Sequence, residues 1–378
     1  MRTIIDTRPM LEGQRSGVAN YAARLVSALL DRAADPATAA YTLFCNASGR
    51  RYPADVPAAG PTIRHSFHAW PNRLLNLSVA AAGRPLIEEL AGPADIVYLP
   101  NLNFVATRLP LVATVHDLSF VRYPEFFSAK QRLWHDLVRP AELLRRSAAI
   151  AAVSEHTKTD IIDWLGLSAD RIAVVSPAAG EEFRPAGAEA VKSVRRTYGL
   201  DREFFLVFST LEPRKNITGA IAAFEKLGGD TELVIAGGKG WLYDGILRRA
   251  AASPAKDRIR FLGYVPDRDR PALYAAALAL VYPSFYEGFG MPPLEAMTCG
   301  TPVIASFASS LGEVVGAAGL LVDPYNASEL AEAMDCIRRE EALRRSLSAA
   351  GLARAKNYSW EKSAAALEQL LRTAALGK

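Results

Sequence analysis

Cysteine is scarce in this 378-residue chain: Cys45, Cys299 and Cys336 are few, far apart and odd in number. That pattern excludes a disulfide framework and lacks the spacing of a zinc site, so a reducing cytoplasm is the expected setting. A long hydrophobic run is missing too. No stretch of about 18 uncharged apolar residues occurs, which argues against a membrane-spanning helix. The opening MRTIIDTRP brings in Asp6 and Arg8 too early for a secretory signal. Excess charge of one sign is also absent, with 44 Lys and Arg against 40 Asp and Glu. A net charge of +4 is too mild for a dedicated nucleic-acid binder. What the chain does have is an apolar share of 50% and the length of two domains.

Short β-branched or aromatic runs alternate with longer stretches of helical period, which marks parallel α/β architecture. Strands are expected at Thr3–Thr7, Tyr41–Asn46, Thr62–His68, Asp95–Pro100, Leu111–Asp117, Ala148–Ser154 and Arg171–Pro177, with one helix around Asn72–Leu90. The stretch 178–190, AAGEEFRPAGAEA, is rich in Gly, Pro and charge, as an interdomain connection would be. We therefore expect a first domain over 1–180, a linker over 181–200 and a second domain over 201–356. The second series has strands at Phe204–Thr210, Thr231–Trp241, Arg258–Asp267, Leu278–Ser284 and Gly319–Pro324, with another in TPVIAS.

Chemistry-bearing residues cluster where strands end. YPSFYEGFGMPPLEAMTCGTP, 282–302, places Glu287 and Glu295 around two glycines and a Pro-Pro helix start. Amides there would attract phosphate or hydroxyl oxygens, and carboxylates accept bonds from sugar or ribose hydroxyls. Taken alone, two glutamates at this spacing read more readily as solvated or capping residues. LEPRKN follows another strand, with Arg214 and Lys215 suited to a diphosphate and Asn216 to a helix cap. Two adjacent cations are equally common on an ordinary surface. His116 and Asp117 end the strand from Leu111, at the edge where open α/β sheets bind ligands, although a lone histidine is more often a satisfied near-core residue. Gly17, with Gly13 before it, opens a helix after the first strand and serves either phosphate binding or the turn alone. Asp267 and Asp269 form a D-x-D triplet whose better reading is helix capping, so no metal is expected. KQRLWHDLVRPAELLRR, 130–146, is basic and amphipathic, fitting a surface helix or a peripheral membrane contact.

The phrase EGFGMPPLEAMTCGTPVIAS, together with EPRKN, HDLSF and YPEFF, resembles glycosyltransferase family 4 of GT-B fold. The resemblance spans nearly the whole chain. It implies two Rossmann-like domains with parallel sheets facing a central cleft, the last helix, within 357–378, crossing back to the first domain. It gives Glu287 to the donor sugar, Glu295 to the nucleotide ribose, and Arg214 and Lys215 to the diphosphate. His116 falls beside the donor sugar and leaving phosphate, and Asp117 on the acceptor side. Gly17, Phe289, Gly290 and Met291 supply contacts to the donor, while backbone around Tyr264 and Val265 holds the base. The implied reaction is hexosyl transfer with retention, from a nucleotide sugar to a glycan or lipid-linked saccharide, without metal or other cofactor. HDLSF, YPEFF, TLEPRKN and GYVPD look most like bacterial mannosyl- or rhamnosyltransferases of surface polysaccharides, which points to GDP-mannose and to the cytoplasmic face of the inner membrane. Alternatives on the same fold are a nucleotide-sugar epimerase, a sugar phosphorylase and a non-catalytic donor-binding scaffold.

Overall fold

The structure, a computed structural model, describes residues 1–11, 17–32, 39–46 and 58–377. The chain divides into two compact units. One comprises Met1–Leu118, Ala129–Pro177 and Ser359–Lys378; the other comprises Ser119–Ser128 and Ala178–Tyr358.

The first unit is built on β1 (Arg2–Asp6), β2 (Ala40–Asn46), β3 (Ile63–His68), β4 (Ile96–Leu99), β5 (Leu111–Val115), β6 (Ala149–Ala152) and β7 (Ile172–Val174). These pair in parallel in the order β3-β2-β1-β4-β5-β6-β7. The second unit holds β8 (Phe204–Phe208), β9 (Glu232–Ala236), β10 (Ile259–Gly263), β11 (Ala279–Tyr282), β12 (Val303–Ser306) and β13 (Leu320–Val322). They are likewise parallel, in the order β10-β9-β8-β11-β12-β13. Central strands such as LVATV, ELVIA and ALVY are buried along their whole length because helices cover both faces, which is why they read as continuous apolar runs. In each sheet the order reverses once, between β1 and β4 and between β8 and β11. Chains leave such a point in opposite directions, opening a crevice at the strands' carboxyl ends.

Three expectations about the elements need correction. The helix expected over 72–90 is two helices, Asn72–Ala82 and Ile87–Ala91, because Gly83 closes the first in a left-handed conformation (φ +63°) and Pro85 lacks an amide to continue it. The expected linker contains a helix, Ala188–Tyr198, which packs on the Arg270–Ala276 helix and buries Val194. And Ser119–Ser128 groups with the second unit, although it lies within 1–180 in sequence. Aromatic rings fix it there. Phe126 stacks on Phe285 at 5.6 Å, Tyr123 lies 5.6 Å from Tyr286, and the Trp241 indole donates to the Phe126 carbonyl at 2.5 Å.

The Trp360–Ala375 helix belongs to the first unit, where it packs on the Gly17–Asp31 helix. Ser359 caps it by accepting the Lys362 amide at 3.2 Å, and Leu367 and Leu371 are fully buried.

Candidate active site

In the second unit, the loops leaving β8 and β11 stand at the switch point of the sheet. Asn216 ties them together. Held at φ +50°, it caps the Ile217–Phe224 helix by accepting the Gly219 amide at 3.1 Å. Its Nδ2 donates to the Pro283 carbonyl at 3.1 Å and the Pro324 carbonyl at 2.7 Å, joining the β8 loop to those after β11 and β13. Asparagine tolerates the left-handed region, and here its amide satisfies three backbone groups at once.

On that frame Arg214, Lys215 and Glu287 converge. Lys215 Nζ donates to Glu287 Oε1 at 2.5 Å and to the Tyr282 hydroxyl at 3.1 Å. Arg214 Nη1 donates to Glu287 Oε2 at 2.9 Å and to the Tyr286 carbonyl at 2.8 Å. Its other edge bonds Glu212 Oε1, from Nε at 3.1 Å and Nη2 at 2.8 Å. Both cations are side-chain buried to 12% exposure and Glu287 to 8%, so little water screens the cluster. Burial opposes the Glu287 charge, yet Arg214 and Lys215 outweigh it and hold the carboxyl at about 2. The Glu287 loop is pinned from below: its amide donates to Ser309 Oγ at 2.8 Å, and Ser310 Oγ donates to the Glu287 and Phe289 carbonyls, each at 2.9 Å.

Glu295 lies within the Met291–Thr298 helix and makes a second buried pair. Arg270 and the Tyr274 hydroxyl, the latter at 2.8 Å, both donate to its Oε2. Among the described residues Oε1 accepts no bond, which leaves one carboxylate oxygen for a ligand. Phe183 and Phe208 flank the Arg270 guanidinium at 5.2 and 4.9 Å, and Asp267 bonds it at 3.1 Å. The D-x-D carboxylates therefore do not cap the following helix as expected. Asp267 holds Arg270, and Asp269, at the N-cap position without a capping bond, accepts from the Tyr198 hydroxyl at 2.9 Å.

Gly290 needs its glycine: φ is +104° and a Cβ would lie 2.5 Å from Leu311 Cδ2. Pro292 and Pro293 have no amide, so Met291 supplies the first N–H of that helix. Phe289 is buried against Tyr358, ring centroids 5.3 Å apart. Val265 is buried, and Tyr264 beside it is exposed. Gly237 has a packing reason, since a Cβ there would sit 1.8 Å from the Ser209 carbonyl oxygen.

In the first unit, His116 Nε2 donates to the Pro100 carbonyl at 2.8 Å, and its ring meets Tyr21 edge-on at 4.9 Å. The carbonyl requires the Nε2–H tautomer, so Nδ1 is the acceptor in the neutral ring. Burial pushes the imidazole pKa down, which keeps the ring neutral. Asp117 is half-buried beside it. Gly17 begins its helix with open space where a Cβ would be. Gly13 lies outside the described residues.

Sequence reasoning did not single out Glu212, Arg270, Tyr274 or Tyr282. The i,i+3 pairing of Asp267 with Arg270 was the one available signal.

Two parallel Rossmann-like halves, with a buried cation–carboxylate cluster at the switch point of the second, define a GT-B glycosyltransferase architecture. The solved structure of Anabaena Alr3699/HepE in complex with UDP and glucose shares it, with a TM-score of 0.74 over 99% of this chain and 100% of that one at 20% identity. Residues 193–354 match the family model for glycosyl transferases group 1, and 15–179 that for glycosyltransferase family 4. Escherichia coli O-antigen chain mannosyltransferase B is 38% identical over 273 residues, covering 71% of each chain. The serotype-specific mannosyltransferase WbdA of Escherichia coli is 34% identical over 280 residues, which are 72% of this chain and 33% of that protein. The chain thus spans about a third of WbdA. It belongs to the glycosyltransferases of family 4.

Proposed function

We propose that this enzyme transfers mannose from GDP-mannose to a glycan or lipid-linked saccharide of a surface polysaccharide, with retention and without a metal. The observation that carries the reading is the buried Lys215–Glu287–Arg214 cluster, in a chain 38% identical to an O-antigen chain mannosyltransferase. Glu287 Oε1 and Oε2 each keep a lone pair for a sugar hydroxyl beyond the bond they accept. Lys215 Nζ has a third proton for the diphosphate, and Arg214 adds positive charge beside it. Glu295 Oε1 accepts a ribose hydroxyl, and backbone at Tyr264 and Val265 holds the base. The Met291 amide, at Gly290 and Phe289, and the Gly17 amide bind phosphate oxygens. From the first unit we assign His116 to the donor sugar and leaving phosphate and Asp117 to the acceptor.

In the reaction the acceptor oxygen bonds to the anomeric carbon as the carbon–oxygen bond to the diphosphate breaks. The acceptor attacks directly, on the face the diphosphate leaves, so no enzymic nucleophile is used. Its proton passes to the departing phosphate oxygen, which takes the part of a base. A lipid-linked acceptor would bring the enzyme to the membrane. No helix among the described residues is long and apolar enough to cross one. The Ala129–Val138 helix, however, exposes Leu133, Trp134 and Leu137 (59%, 38% and 52%) among Lys130 and Arg132, and we assign it to peripheral contact with anionic lipid at the cytoplasmic face.

The test is thermal stabilisation and sugar transfer across GDP-, UDP-, dTDP- and ADP-sugars, with and without chelator. Selective stabilisation by GDP-mannose and chelator-resistant mannosyl transfer to a mannoside acceptor are expected. Transfer from another donor only would overturn the mannose assignment, and consumption of no nucleotide sugar would overturn the transferase reading.

A further inference from the structure

The diphosphate side of the second unit is matched in charge before any ligand arrives. Arg214 and Lys215 are paired with Glu212 and Glu287, while Arg270 is held apart from them by Glu295 and Asp267. Glu287 and Glu295 are the two that face the ligand in the reading above, on which this inference rests. Glu212 is different. Its side chain is 3% exposed, and one oxygen takes both Nε and Nη2 of Arg214, so it reaches a ligand only through that guanidinium.

Arg214 and Lys215 alone would give a diphosphate two poorly screened positive charges, and a nucleoside diphosphate product held that way leaves slowly. Glu287 and Glu212 each cancel one. A carboxylate buried behind an arginine costs desolvation that an apolar residue would avoid. Its effect at the pocket surface is to cancel one charge and to lock the guanidinium plane at both edges.

We infer that Glu212 is a charge-setting and positioning residue: buried behind Arg214, it keeps the diphosphate pocket electroneutral so that the nucleoside diphosphate is released, and it fixes the guanidinium for the transfer step. The prediction is an opposed pair of effects that a structural defect alone does not produce. In the full-length chain, Glu212→Gln keeps shape and removes one negative charge. GDP and UDP, measured by titration calorimetry, should bind about tenfold tighter to it than to wild type, with a steeper salt dependence, while kcat falls. Should Glu212→Gln not fold, the same comparison is made between Arg214→Met and Arg214→Met/Glu212→Gln. The double variant should recover about tenfold of the affinity lost in the single one.

Unchanged or weaker binding in Glu212→Gln, or no recovery in the double variant, overturns the inference and leaves the transferase reading standing. Failure of wild type to bind any nucleoside diphosphate overturns both.

Discussion

Glu287 is the residue on which the site turns, and its charge is testable by acid. The folded carboxyl sits at about 2 against an ordinary 4.5, because Arg214 and Lys215 outweigh burial. A depressed value stabilises the fold fully above pH 4.5, and that contribution is lost as pH falls through about 2. The difference corresponds to about 3 kcal/mol. Denaturant unfolding at pH 6 and pH 3 should therefore show wild type losing more stability on acidification than Glu287→Gln; equal losses would show that the pair does not hold the carboxylate. Lys215→Ala should leave a folded protein whose transfer rate is down at least about tenfold. A near-normal rate would remove Lys215 from the site. Lys215, Arg214 and Glu287 were singled out in the sequence through the resemblance of EPRKN and EGFGMPPLEAM to the family, since two adjacent cations or a pair of glutamates taken alone read as ordinary surface residues. Glu212, Arg270, Tyr274 and Tyr282 were not. Lys215 meets Tyr282 across 67 positions and Arg214 meets Glu287 across 73, and those pairings exist only because β8 and β11 are neighbours in the sheet.

At the scale of elements, the loop after β8 is held by one side chain. Asn216→Ala removes a helix cap and leaves the Pro283 and Pro324 carbonyls, both buried with Asn216, without its amide. A loss of about 3 kcal/mol is expected from these terms together, read as a lower urea midpoint at unchanged slope. A loss within about 0.5 kcal/mol would mean the loop is held some other way. The glycine turn after β9 separates packing from ligand contact. Gly237→Ala meets the Ser209 carbonyl at 1.8 Å with φ at +143°, so it should destabilise by several kcal/mol, on the order of an overpacked core. Gly238→Ala meets nothing within 4 Å and should keep its stability. A raised KM for the donor in that variant would show that the turn touches the nucleotide. The alternation of strands and helices was plain in the sequence, because buried parallel strands read as apolar runs. The break at Gly83 and the helix at Ala188–Tyr198 were hidden, the first by helical periodicity on both sides of a single glycine, the second by the Gly, Pro and charge around a helix with one buried residue.

At the scale of the molecule, sequence order and folding unit part company at two places, Ser119–Ser128 and Ser359–Lys378. The second gives a test of the division itself. Leu367, Leu370 and Leu371 bury themselves in the first unit, where their helix packs on Gly17–Asp31 and on β4, β5 and β6. At about 2 kcal/mol for each leucine, the helix contributes roughly 6 kcal/mol, a large part of the 5–15 kcal/mol that holds a typical domain. A chain ending at Tyr358 should therefore lose amide protection across β4–β6, measured by hydrogen exchange, while β8, β9 and β11 stay protected. The second unit keeps every strand and the whole Arg214–Lys215–Glu287 cluster in such a chain. Equal loss of protection in both sheets would show that the two cores fold as one. Intact protection in β4–β6 would show that the last helix contributes little to the first.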